Sequence, residues 1–328
     1  MLQRRSTVSY RVKKSRVGKK LKNHPRLLIV IGGVLIAVIL TVVWGSVWGE
    51  RAQQSALERA EARLQEQALA AERPDWLPTQ PAPMQASYLG KITSLADATA
   101  SATTLAESGA TALSVPLYLD GVPQYASPTA RALERQPENA SDVTLSRLFA
   151  AILNENCRIA ATFSCHWQNE ADPALRRVER TYEAALVAEI AASGADEVLL
   201  TDLTVSEENL QEVSLFLREV RESSPDAVIG ISLPTALMLG DTRIEIARTL
   251  LSWADHLALD LSDYDTHTVS TTSEDGTVTR TSATLPQILD LLEPAIRRYQ
   301  MRLILPVSMY EQLITVQELG YDSWQIVR

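Results

Sequence analysis

The chain has 328 residues, with 31 Lys and Arg against 40 Asp and Glu, a formal charge of −9, and two cysteines. Ten of the bases fall within the first 26 residues with no acid among them, so the rest of the chain sets 21 bases against all 40 acids, a charge of −19. A body this acidic is a poor partner for nucleic acid or anionic lipid, and two cysteines are too few for a disulfide framework or a dedicated metal site.

Residues 1–26 form a basic tail carrying Arg4, Arg5, Arg11, Lys13, Lys14, Arg16, Lys19, Lys20, Lys22 and Arg26. The uncharged apolar run Leu27–Gly49 follows directly. As a helix it would be about 35 Å long, enough for a hydrocarbon layer of roughly 30 Å. Trp44 and Trp48 sit near its outer end, where interfacial aromatics collect. The basic flank predicts a single-pass signal-anchor, with the tail in the cytoplasm and everything after Glu50 outside the cell membrane. No small-x-small cleavage site stands out before Glu50 to favour a removed signal peptide.

Residues 50–73 are rich in Ala, Glu, Gln, Arg and Leu and predict a helical stalk. Leu57 and Leu64, one heptad apart, leave open either a solvated helix or a short coiled coil that would pair two copies weakly. Residues 74–85 carry Pro74, Pro78, Pro81 and Pro83, a stiff extended linker.

From residue 86 to 328, short apolar runs alternate with amphipathic segments. Strands are expected at Ala86–Leu89, Ala112–Tyr118, Arg158–Ser164, Glu197–Leu203, Ala227–Leu233, His256–Leu261, Arg302–Val307 and Ser323–Val327. Helical periodicity marks Leu95–Ser108, Leu145–Asn154, Ala174–Ser193, Glu207–Ser223, Arg243–Ala254, Leu285–Tyr299 and Met309–Leu319. Gly109, Gly194 and Gly320 stand where a helix must turn left-handed into the next strand. Eight such units define an α/β chain folded as a (β/α)8 TIM barrel, preceded by the single transmembrane helix and stalk. No glycine-rich phosphate loop follows the first strand to favour a doubly wound sheet.

Cys157 and Cys165 bracket the third strand. Eight extended steps separate them by about 26 Å, far beyond disulfide reach, which predicts two free buried thiols. Thr266–Thr284 alternates β-branched residues around Glu274-Asp275-Gly276, the pattern of a hairpin that would stand over the rim after the sixth strand.

Four blocks resemble the glycoside-hydrolase-like (β/α)8 barrels of bacterial cell surfaces, which often sit behind a membrane anchor. These are SGATALSVPLYLDGVPQYAS, CRIAATFSCHWQNEADPAL, GADEVLLTDLT and ELGYDSWQIV. The resemblance implies the barrel fold, a carbohydrate ligand, and an Asp and a Lys near the end of the second strand, an Arg on the third and an Asp on the fourth. This chain departs from that pattern. Its second strand reads SVPLY, Thr162 stands at the third-strand Arg, and at the fourth strand Asp202 is near the acidic position, with Thr201 in register.

Barrels of this class hold their chemistry at the C-terminal ends of the strands. Glycoside hydrolysis needs two carboxyl groups across the scissile bond, and Asp202 with Asp260 or Asp263 are the catalytic candidates. Tyr118, His166, Trp167, Tyr264 and Tyr310 are the candidate substrate-binding residues, their rings suited to the apolar face of a sugar. Asp120 before Gly121 reads more readily as a turn residue, and Glu207 and Glu208 after Ser206 as first-turn helix acids. Metal binding at Cys165 and His166 would need a third ligand that the local sequence does not offer, and no cofactor motif is present.

Three functions fit. One is a membrane-anchored, extracytoplasmic barrel that has lost turnover and binds glycan or an envelope protein; this reading is favoured by the missing charges. The second is an active hydrolase of cell-wall or extracellular polysaccharide, and the third a structural envelope assembly factor. No serine triad, P-loop, HExxH or dinucleotide motif supports another enzyme class.

Overall fold

The computed structural model describes residues 77–79, 81–137, 141–240, 242–272 and 278–328. The chain divides into two compact units, Met1–Ala68 and Leu69–Arg328, and the described residues belong to the second. The expected tail, membrane span and stalk, and residues 74–76 and 80 of the linker, lie outside the described residues. Among the described residues no helix is long and apolar enough to cross a membrane.

Eight parallel strands close into a barrel: β1 (Gln85–Tyr88), β2 (Ala112–Leu119), β4 (Arg158–Ser164), β5 (Glu197–Thr201), β6 (Ile229–Pro234), β7 (His256–Asp260), β10 (Arg302–Pro306) and β11 (Trp324–Val327). Closure is complete because β1 pairs with β2 on one side and β11 on the other. All eight coincide with the expected runs to within a few residues. β3 (Val122–Pro123) folds back on β2 through Asp120 and Gly121, both at positive φ. This is a two-residue turn of the type that Asp-Gly favours, so Asp120 takes its turn role. The antiparallel hairpin of β8 (Thr268–Thr272) and β9 (Val278–Ser282) also forms where the alternation predicted it.

The outer layer contains α1 (Leu95–Glu107), α2 (Pro128–Ala132), α3 (Leu145–Asn154), α4 (Pro173–Ala192), α5 (Leu210–Ser223), α6 (Thr235–Leu239), α7 (Arg243–Leu250), α8 (Leu285–Tyr299) and α9 (Leu313–Glu318). The outward residues of β2, β4, β5, β6, β7 and β10 are apolar, as in Leu113, Val115, Ile159, Phe163, Val198, Leu200, Leu257, Leu259, Leu303 and Leu305, all buried against this layer. Parallel strands covered on both faces read as continuous apolar runs for this reason.

Inside the barrel, Met84, Ala86, Ala112 and Ala160 pack at the N-terminal end, and Leu199, Ala258 and Ile304 pack above them with Val327. A buried polar cluster shares the lower level. Arg302 grips Glu197 with both terminal nitrogens and donates to Gln325 Oε1 at 3.2 Å, while Gln325 donates to Ser114 Oγ at 3.1 Å. His256 Nε2 lies 3.2 Å from Glu197. Burial alone would raise the Glu197 carboxyl, but the charges of His256 and Arg302 and their hydrogen bonds outweigh it and hold the group at about 2. Charge buried at this N-terminal end of a barrel, away from the rim that holds the chemistry, serves stability. Cys157 and Cys165 are free and buried, as the extended spacing between them required.

Candidate functional site

The rim is built from the last residue of each strand and the loop after it. On β5 the lumen phase runs Glu197, Leu199, Thr201, since side chains alternate along a strand. Thr201 therefore occupies the lumen position, where its hydroxyl lies 3.1 Å from Asp202 Oδ2. Asp202 is the next residue and stands exposed at φ +59°, a left-handed conformation that costs a non-glycine residue on the order of 1 kcal/mol.

On β7 the lumen phase is His256, Ala258, Asp260. Asp260 is half-buried, and its Oδ1 accepts from Ser262 N at 2.8 Å. Its pKa is raised, first by burial and then by the negative charges of Asp263 and Asp202, against the lowering effect of the Ser262 hydrogen bonds. Asp202 and Asp260 thus share one electrostatic field. One strand, β6, separates their strand ends, or about 10 Å of wall at the usual spacing.

Asp263 is committed elsewhere. Thr235 Oγ1, fully buried at the start of α6, donates to Asp263 Oδ1 at 2.6 Å and lies 2.5 Å from His267 Nε2. A hydroxyl that gives its proton to the carboxylate is left to accept from the imidazole N–H. This latch ties the loop after β7 to the loop after β6 and to the foot of the hairpin, so Asp263 anchors rather than faces the lumen.

The rings expected to bind substrate are dispersed. Tyr118 is 2 % exposed, stacks on Phe163 at 4.4 Å, and its hydroxyl lies 3.4 Å from Glu183. The physical reason is a bulge: Pro116 pairs with Thr162 but Tyr118 pairs with Phe163, and the extra residue flips Tyr118 from the lumen face to the helix face. Trp167 is fully buried against Phe216 of α5, with centroids 5.6 Å apart, and offers no platform to a sugar. Leu203 and Val205 are buried in the same outer core. Tyr264 packs half-buried against that core, and Tyr310 lines a groove on the outer wall. His166 alone stays at the rim, half-buried, with Nδ1 3.0 Å from Ser164 O.

Glu183, on α4, escaped the sequence reading. It is 1 % exposed, accepts from the His166 backbone N–H at 2.9 Å, and lies beneath the loop that carries His166 and Trp167. Burial, opposed by the hydrogen bonds from His166, Tyr118 and Trp167, raises its pKa to about 8, and the charge of Glu179 adds to the rise. One signal was available: Glu183 sits on the apolar stripe of Leu186, Val187 and Ile190, where a carboxyl is out of place. Among the described residues no three His, Cys, Asp or Glu side chains are placed to hold a metal.

No family model and no curated protein matches the chain. Among solved structures it is similar to a proposed alpha-L-fucosidase from Bacteroides thetaiotaomicron, with 10 % identity over 77 % of this chain and 87 % of that one and a TM-score of 0.50. A chitinase from Chromobacterium violaceum (13 %, 69 % and 68 %, TM-score 0.42) and a class V chitinase from Pseudomonas fluorescens (15 %, 72 % and 76 %, TM-score 0.43) are also similar. Identities this low speak to architecture alone. The chain is a (β/α)8 barrel of the kind that glycoside hydrolases and other barrel enzymes use.

Proposed function

We propose that the chain is a membrane-anchored, extracytoplasmic, glycoside-hydrolase-like barrel that binds glycan or an envelope partner at its C-terminal rim without turnover. The observation that carries the loss of turnover is the chemistry of the lumen wall. Where the resemblance implies charged residues on the second, third and fourth barrel strands, the lumen phase offers Pro116, Thr162 and Thr201. Thr162 spends its hydroxyl on Val115 O at 3.4 Å. Among the described residues, the charged groups acting on Asp260 in the upper lumen are two further acids, Asp263 and Asp202. The anchor rests on Leu27–Gly49 and its basic flank, and a weak dimer through the stalk remains compatible with Leu57 and Leu64.

One observation favours a second reading, an active hydrolase of cell-wall or extracellular polysaccharide. Asp260, with its raised pKa, would serve as the acid, and Asp202, exposed beyond β6, as the second carboxyl. The test is a hydrolysis and binding screen of the full chain on a panel of cell-wall and extracellular glycans, beside Asp202→Asn and Asp260→Asn. Binding without product release in all three proteins supports the non-catalytic reading. Product released by the wild type and lost in either variant replaces it with the hydrolase.

A further inference from the structure

The loop after β4 rests on a buried carboxyl. It leaves the strand through one short 3-10 turn, Trp167–Asn169, which Asn169 N closes by donating to His166 O at 2.9 Å. Glu183 of α4 meets the start of that turn, where its two oxygens accept from His166 N at 2.9 and 3.1 Å. The Trp167 N–H adds a further bond. Glu183 is 1 % exposed, and Cys165 and Trp167 on either side of His166 are buried as well. Water therefore reaches the carboxyl only when this packing opens.

The same turn is tied to a second rim loop. Gln168 Nε2 donates to Thr204 O at 2.8 Å and Gln168 Oε1 accepts from Thr204 N at 2.8 Å, a reciprocal pair like that between two backbones. Thr204 lies two residues beyond Asp202, and Asn209 at the start of α5 also donates to its carbonyl at 2.8 Å. A turn that lifts off Glu183 therefore withdraws two hydrogen bonds from the loop that carries Asp202.

The charges around Glu183 fix the direction of the effect. The groups facing it are Glu179 and Tyr182 on its own helix, Tyr118 of β2, and Cys165 with His166 after β4. Arg135, beyond α2, is spent on Glu179 at 2.7 Å and on the Tyr182 ring at 4.5 Å. Burial accordingly outweighs the hydrogen bonds and raises the Glu183 pKa from 4.5 to about 8. The closed turn favours the protonated carboxyl, and an opened, wetted one ionises in the ordinary range, so losing the proton favours opening. We propose that the proton on Glu183 governs the opening of the His166 turn and, through Gln168, of the rim loop that carries Asp202. The consequence for function rests on the rim being the ligand face: that face is ordered in acid and loosens as the pH rises.

The experiment is hydrogen–deuterium exchange of the purified full chain, read by mass spectrometry as protection factors at about pH 5.5 and about pH 7.5. No ligand is added, so the result is separate from that of the glycan screen. In the wild type, residues 165–170 and 202–206 are protected at least about tenfold less than β4, the mark of an opening smaller than unfolding of the barrel. Their protection falls roughly seventyfold between the two pH values, the linkage for a group at about 8 when closed and 4.5 when open. Glu183→Gln holds both segments level. Gln168→Ala keeps the fall in 165–170 and abolishes it in 202–206, which tests the relay independently of the Glu183 variant. Three results overturn the proposal: the same fall in wild type and Glu183→Gln, protection of both segments equal to that of β4, or a wild-type 202–206 that stays level while 165–170 falls.

Discussion

Replacing Glu183 by Gln isolates one buried carboxyl whose cost can be worked from the structure. The group is 1 % exposed and its folded pKa is raised from 4.5 to about 8. The groups facing it are Glu179 and Tyr182 on its own helix, Tyr118 from β2, and Cys165 with the His166 loop from β4. Because the folded pKa lies above the unfolded one, the folded state holds the proton more tightly. The stabilisation is complete below about pH 4.5 and is lost as the pH rises through about 8. At about 1.4 kcal/mol per unit, the shift amounts to roughly 5 kcal/mol, a large part of the 5–15 kcal/mol that holds a domain together. Glu183→Gln keeps the size and the acceptor for His166 N but removes the titration. Guanidinium unfolding followed by far-UV circular dichroism, repeated across this pH range, should show wild-type stability falling and the variant's staying level. Above pH 8 the variant should be the more stable by several kcal/mol. Parallel profiles for the two proteins would refute the account.

The lower lumen makes the opposite prediction. Glu197 is held at about 2, below its unfolded value of 4.5, so its contribution is present above about pH 4.5 and is lost as the pH falls through about 2. Glu197→Ala strands Arg302 without its carboxylate and should cost about 3–5 kcal/mol at neutral pH, read as a lower denaturation midpoint. Gly230→Ala should be more damaging than Gly194→Ala. A Cβ on Gly230 meets the His256 ring at 2.5 Å and forces it off Glu197, whereas Gly194 has open space and only a φ of +100° to strain, worth about 1 kcal/mol by thermal unfolding. A thiol reagent should leave Cys157 and Cys165 unmodified in the native protein and label both in denaturant, because burial raises both thiols.

Much of the fold was legible because its signals are local. Apolar runs such as Arg158–Ser164 are long enough to be strands buried on both faces, and Gly109, Gly194 and Gly320 adopt the positive φ that helix-to-strand turns demand. The site was legible in part. Asp202 and Asp260 do come into one field, since strand order alone puts their ends one strand apart. Asp263 was misjudged because its partner Thr235 lies 28 residues earlier and carries no pattern. Tyr118 was misplaced by a single bulged residue, and Trp167 by the approach of Phe216 from a helix that sequence cannot orient.

The sequence by itself determined the alternation of strands and helices, the free cysteines, the hairpin after the sixth barrel strand, and the acidic balance of the chain beyond its basic tail. These follow from periodicity, composition and reach along the chain. Only the tertiary structure decided which side chains enter the lumen and which pack under the helices. Those depend on strand parity and on neighbours distant in sequence, where one inserted residue reverses a face.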